Sequence, residues 1–169
     1  ELSLGLVGSE MCIRDRDQTI RAQSVELLNT HLATAIDLHA QVKQAHWNVR
    51  GANFIALHKL FDTVSEEIES FSDMLAERAG GLGGSAEGTI QTAASKTSLI
   101  AYPLGVADAQ KHVFAVAGAL AAFGEGVREA SGMATAFGDA DTADLFTQVS
   151  RGTDLQLWFV ESHMTPKQG

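Results

Sequence analysis

The stretch KQAHWNVRGANFIALHKLFD, residues 43–62, decides how the chain folds. It ends one helical pattern at Val49, breaks at Gly51, offers Asn53 as an N-cap and starts a second helical pattern at Phe54. It also holds two histidines and an aspartate, His46, His58 and Asp62, inside an otherwise half-apolar helical pattern. Upstream, from Thr19, apolar or small residues fall at Val25, Leu28, Leu32, Ala35, Val42 and Val49, a stripe in steps of three and four that passes through His39 and His46. Downstream, Phe54, Leu57, Phe61, Val64, Ile68, Phe71 and Leu75 continue the second pattern until GGLGG stops it. Residues 80–105 then show little periodicity, a connection long enough to cross the molecule and to hold a short helix. A third, alanine-rich helix is predicted from about Asp108 to Ser131. A fourth begins near GDADTAD and carries Leu145, Val149, Leu155, Trp158 and Phe159 to about Met164. Four helices with one long connection between the second and third describe an all-α, ferritin-like four-helix bundle with a crossover.

Composition agrees. The 169 residues are 45% hydrophobic, enough for one core and short for two. Only Pro103 and Pro166 interrupt the chain, and the lone Cys12 cannot form an internal disulfide, which fits a reducing cytoplasm. Twelve Lys and Arg against 21 Asp and Glu give a net charge of -9, which repels nucleic acid and attracts cations. No run approaches the roughly 20 apolar residues of a membrane span. The opening ELSLGLVGSEMCIRDR makes a poor secretory signal, so residues 1–18 are read as disordered or foreign to the fold, 19–165 as the bundle and 166–169 as a short tail. The glycines of GGLGGS end a helix and are followed by no GK[ST], so they are not a phosphate loop.

On the second helix, at about 100° per residue, His58, Asp62, Glu69, Asp73 and Glu77 share an arc of roughly 100°. His58 with Asp62 and Asp73 with Glu77 are i,i+4 pairs, a spacing that lets two side chains meet one ion. The pair centres lie about 15 residues, or roughly 22 Å, apart, so one chain cannot close a single site from both. A second copy packed antiparallel across a twofold axis near residues 67 and 68 would set Asp73 and Glu77 of one chain beside His58 and Asp62 of the other, with His46 completing the set, and give two equivalent sites per dimer. Mixed imidazole and carboxylate ligation suits iron, manganese or zinc. The plainer reading makes Asp73 and Glu77 solvated acids and the histidines packing.

The segments KQAHWNVRGANFIALH, SDMLAERAGGLGG, GTIQTAASKTSLIAYPL and LWFVES stand in an order and spacing that resemble the Dps family, the DNA-binding proteins from starved cells, which are miniferritins. The resemblance runs from about residue 21 to 164. It implies four-helix subunits assembled from twofold dimers into a hollow homododecamer, with a short helix in the crossover. It further implies iron sites between subunits in which His46, His58, Asp62, Asp73 and Glu77 are the ligands and the ferroxidase residues. Fe(II) would be oxidised there, preferentially by hydrogen peroxide, and stored as Fe(III) mineral in protection against oxidative stress. Iron is the metal implied, and zinc or manganese can substitute at such ligands. An intrachain di-iron bundle would need a Glu-x-x-His motif, which the chain lacks.

Acids near the fourth helix suggest two roles. Asp139 and Asp141 suit the positive end of a helix dipole. The resemblance implies a cation pore on threefold axes, for which Asp144 is the best match and Asp139 and Asp141 its neighbours. Trp47 reads as packing or as a trap for stray oxidising equivalents, and Lys43 as a surface lysine or a partner of a site water. His39 reads as a core histidine and Tyr102 as an anchor of the crossover. Lys-rich tails of the kind that bind DNA in many relatives are not seen, so weak or absent DNA binding is expected. The function expected is ferroxidation and iron storage in a bacterial cytoplasm. The alternatives are a DNA-compacting nucleoid protein and a non-redox zinc or manganese store.

Overall fold

A computed structural model describes residues 16–164. It consists of α1 (Gln18–Asn48), α2 (Phe54–Gly81), the short α3 (Ile90–Lys96), α4 (Ala109–Phe137) and α5 (Ala140–Glu161). The four long helices form the bundle, and α3 lies within the crossover between α2 and α4. α1 packs chiefly on α2 and α4 on α5, with α3 against α1.

Local chemistry sets each end. Asp17 caps α1 through a bond from the Thr19 amide at 2.7 Å, so the helix begins ahead of the boundary expected at residue 19. The expectations for residues 1–15 and 165–169 lie outside the described residues. Gly51 takes a φ of 119°, which frees the chain to turn back after α1. Asn53 occupies the N-cap position of α2 without a side-chain bond; the Phe54 amide turns instead to the Gly51 carbonyl at 3.1 Å. α4 does not stop at Ser131. Ala130 and Ala134 continue its buried stripe past Gly132, and the helix ends where Gly138 supplies a left-handed φ of 85°. α5 ends at Glu161, three residues before the expected Met164.

The core is a single cluster that includes Leu28, Leu38, Phe61, Ile68, Leu120, Phe123 and Phe146, each removed from solvent. Burial of a side chain of this size is worth about 1.5–3 kcal/mol. The α2 stripe reads as predicted, from Leu57 to Leu75. The α5 stripe does not. Phe146, Val149, Thr153, Gln156 and Val160 face inward, while Leu155 and Trp158 are exposed.

The crossover is held to α1 by polar side chains. Asn29 donates to the Ser85 carbonyl and accepts from the Glu87 amide, both at 2.9 Å. Thr97 donates to Asp37 at 2.7 Å, and Gln41 to the Ile100 carbonyl at 3.1 Å. Beyond α3, Tyr102 donates its hydroxyl to His112 Nδ1 at 2.6 Å. The Arg50 amide donates to the Ala107 carbonyl at 3.0 Å, tying the α1–α2 turn to the start of α4.

Candidate metal centre

The α1–α2 hairpin brings the last turn of α1 against the first turns of α2. His46 and His58 stack there, with centroids 3.8 Å apart and planes at 19°. Each ring bonds the other's backbone: His46 Nδ1 lies 2.7 Å from the His58 carbonyl, and His58 Nδ1 2.8 Å from the His46 carbonyl. A carbonyl can only accept, so both Nδ1 atoms carry hydrogen, which in the neutral form of each ring leaves the lone pair on Nε2. This is the arrangement that orients histidine ligands on metals. Phe54 packs against His58 with ring centroids 5.0 Å apart.

Asp62 lies one turn along α2. Its Oδ1 accepts from Lys43 Nζ at 2.7 Å and is 3.8 Å from His46 Nδ1. Lys43 is therefore neither a free surface lysine nor a partner of water alone: it sits beside the histidines, 5.9 Å above the Trp47 ring, and holds the carboxylate. That bond lowers the Asp62 pKa below the usual carboxylate value, against an opposing effect of desolvation. Trp47 is 60% exposed at the rim.

Asp73 and Glu77 lie toward the other end of α2, exposed on its outer face. Asp73 borders an open groove of about 740 Å³ with Glu66 and Glu69. Neither Asp73 nor Glu77 forms a hydrogen bond or ion pair among the described residues. The structure thus brings together His46, His58 and Asp62 and leaves Asp73 and Glu77 apart. Among the described residues no set of three or more His, Cys, Asp or Glu in the single chain is gathered closely enough to hold a metal ion.

Three of the remaining histidines, His31, His39 and His112, have ring nitrogens bonded within the fold. His39 Nδ1 is 3.0 Å from the Ser65 carbonyl. His31 bridges the carbonyls of Leu27 and Gly126 at 2.9 and 3.1 Å. His112 is buried under Tyr102.

The three acids ahead of and within α5 separate. Asp139 is fully buried. It caps α5 through the Thr142 amide at 3.3 Å, accepts from the Thr142 hydroxyl at 2.6 Å and from Arg78 at 3.1 Å, and also pairs with Arg16. Burial alone would raise its pKa, but the Thr142 bonds and the Arg78 charge outweigh burial and hold it below the usual range. A carboxylate enclosed in this way cannot present itself to a passing cation, so Asp139 is removed from the pore candidates and the capping role stands. Asp141 is exposed and pairs with Arg16. Asp144 is exposed without an ion pair among the described residues.

The family model for ferritin-like domains matches residues 25–166. The DNA protection during starvation protein of Agrobacterium fabrum is 38% identical over 153 residues, spanning 90% of this chain and 94% of that protein. The chain belongs to the Dps family. Among solved structures, Dps from Microbacterium arborescens in the high iron form has a TM-score of 0.81 at 33% identity, over 87% of this chain and 95% of that one. DpsC from Streptomyces coelicolor has a TM-score of 0.88 at 29% identity, over 100% and 99%. Membership of the Dps family with a ferritin-like fold supports iron storage and DNA protection as the general field of function. No helix among the described residues is long and apolar enough to cross a membrane.

Proposed function

We propose that this Dps-family chain is a ferroxidase that oxidises Fe(II), preferentially with hydrogen peroxide, at sites shared by twofold-related subunits of a hollow homododecamer, and stores the product as Fe(III) mineral. One observation carries the reading. His46 and His58 present two oriented Nε2 lone pairs beside Asp62, while Asp73 and Glu77 stand exposed and unpartnered at the other end of the same helix face. Each set is half of a site, and a twofold axis midway along α2 joins the halves.

The residues divide the work by chemistry. The two imidazoles supply neutral nitrogen donors whose direction is fixed by backbone carbonyls. Asp62, Asp73 and Glu77 supply the negative charge that holds Fe(II) and favours Fe(III). Lys43 occupies Asp62 until a cation displaces it. Two Fe(II) ions give one electron each to hydrogen peroxide; the O–O bond breaks and both oxygens leave at the oxidation level of water. Delivering both electrons at one place keeps a lone Fe(II) from releasing hydroxyl radical. Asp141 and Asp144, repeated around a threefold axis, would focus a negative potential on incoming Fe(II). Zinc or manganese would fit the same nitrogen and oxygen donors, so the metal is decided by redox turnover.

DNA is protected in this reading by removing Fe(II) and peroxide, with weak or absent direct binding, because a chain of net charge -9 is repelled by phosphate. The setting is the bacterial cytoplasm. The test is an anaerobic Fe(II) titration of the assembled protein followed by hydrogen peroxide, with Asp73→Ala/Glu77→Ala in parallel. Fast, radical-poor Fe(III) formation that the double variant loses is the expected outcome. Oxidation no faster than in buffer, or a variant equal to the parent, overturns the proposal.

A further inference from the structure

Half-buried Tyr102 and buried His112 form a polar pair that the iron ligands do not use. Tyr102 is the chain's only tyrosine, and its ring packs against the core. Its hydroxyl donates to His112 Nδ1 at 2.6 Å, and His112 Nε2 lies 2.9 Å from the Val106 carbonyl. Since a carbonyl only accepts, Nε2 carries the ring hydrogen and Nδ1 turns its lone pair to the phenol. The two rings are held nearly parallel, with centroids 6.0 Å apart and planes at 17°.

The pair adjoins the end of α1. The Asn48 carbonyl approaches His112, and Asn48 is two residues beyond His46. The bond from the Arg50 amide to the Ala107 carbonyl fixes the segment that carries Val106 to the same hairpin. Burial pushes the Tyr102 phenol up and the His112 imidazole down, so at rest the phenol keeps its proton and the imidazole is neutral.

These features matter when the phenol loses an electron. Its cation is a far stronger acid than an imidazolium, so the proton leaves with the electron to a base already hydrogen-bonded to the phenol. The base in contact is His112 Nδ1. We infer that Tyr102 is a proton-coupled electron donor that intercepts one-electron oxidants arising at the adjoining iron site, with His112 as its proton acceptor. The step balances as follows: the O–H bond of Tyr102 breaks, its proton forms an N–H bond at His112 Nδ1, and its electron reduces hydroxyl radical to hydroxide. The phenoxyl radical and the imidazolium then remain hydrogen-bonded, and the imidazolium still donates to Val106. A later Fe(II) returns the electron and becomes Fe(III), and the proton moves back to the phenol. A peroxide that meets a site with one iron would thus be reduced fully, in two stages, without free radical escaping.

The source of the oxidant rests on the proposed ferroxidase reading, so the first arm of the test avoids iron. Iron-free assembled protein is oxidised with photogenerated ruthenium(III) tris-bipyridine and followed by electron paramagnetic resonance and absorption, in H2O and D2O, for the parent, Tyr102→Phe and His112→Gln. The expected result is a tyrosyl signal in the parent that forms more slowly in D2O, is absent from Tyr102→Phe, and forms at least about 10²-fold more slowly in His112→Gln. Indole radicals of Trp47 and Trp158 alone in the parent would overturn the inference, as would a folded His112→Gln that matches the parent's rate. The parent result decides even if His112→Gln does not fold. In the second arm, Fe(II) and limiting peroxide with a spin trap should give more trapped hydroxyl radical and less Fe(III) per peroxide in Tyr102→Phe. Failure to accelerate iron oxidation in that arm would sink the ferroxidase reading and leave the photochemical result standing.

Discussion

Replacing Asp139 with alanine removes several bonds at once, and their geometry sets the cost. The carboxylate is fully buried, caps α5, accepts the Thr142 hydroxyl and neutralises Arg78. Loss of an N-cap costs about 1 kcal/mol. Loss of one partner of a buried ion pair costs about 3–5 kcal/mol, and the lower end applies because the Arg78 side chain is 17% exposed and keeps its bond to Thr142. Asp139→Ala should therefore lose about 3–4 kcal/mol. Asp139→Asn keeps an acceptor at the cap and should lose less. The pH dependence has a definite sign. The folded carboxyl titrates below its unfolded value, so its stabilisation is complete above an unfolded pKa of about 3.9 and fades as pH falls through the lower folded value. Equilibrium urea unfolding at fixed subunit concentration, at pH 7 and below pH 4, measures both effects. The gap between the parent and Asp139→Asn should narrow on acidification. An alanine variant within about 0.5 kcal/mol of the parent, the range of an ordinary surface substitution, would refute the structural role assigned to Asp139.

Three further outcomes follow from particular contacts. Lys43→Gln removes the cation that competes for Asp62, so Co(II) titration under anaerobic conditions should show several-fold tighter binding, and the Asp62 pKa should rise toward its ordinary value in a carbon-detected NMR titration. Gly152→Ala would put a Cβ 2.5 Å from Phe71 Cζ in the α2–α5 contact; thermal unfolding should show a loss of about 1–3 kcal/mol from overpacking. Asp141→Asn/Asp144→Asn should slow stopped-flow oxidation of externally added Fe(II), with the deficit shrinking as salt screens the parent's attraction, while the final iron-to-protein ratio at the sites is unchanged.

What could be read from the sequence depended on how local the cause was. The α2 stripe was legible because every third or fourth residue from Leu57 to Leu75 points one way, and no neighbour is needed to see it. The α5 stripe was misread because Leu155 and Trp158 are apolar yet exposed, while Thr153 and Gln156 face inward; hydrophobicity alone gave the wrong face. The crossover showed only as missing periodicity. Its contacts run from Asn29, Asp37 and Gln41 to residues more than 50 positions away, and such bonds leave no repeat in the chain. The candidate ligands were legible as residue types at helical spacing. The reciprocal histidine bonds that fix their tautomers were not, because they depend on how closely the hairpin closes.

The carboxylates themselves separate structure from chemistry. A buried charge survives only where donors surround it, and Asp139 meets that condition with Thr142 and Arg78; its burial is explained by folding alone. Asp73 and Glu77 show the opposite condition. They are like charges at i,i+4 on an exposed helix face, an arrangement that costs a helix about 0.2–0.5 kcal/mol, and among the described residues no cation offsets it. Folding gives no reason to keep them. A divalent cation held at a twofold interface would turn that repulsion into attraction, and in the proposed dimer it would do so beside two histidines whose Nδ1 atoms are clasped by carbonyls and whose Nε2 atoms are left for a metal. The residues that the monomer's stability cannot account for are the ones the proposed metal centre requires.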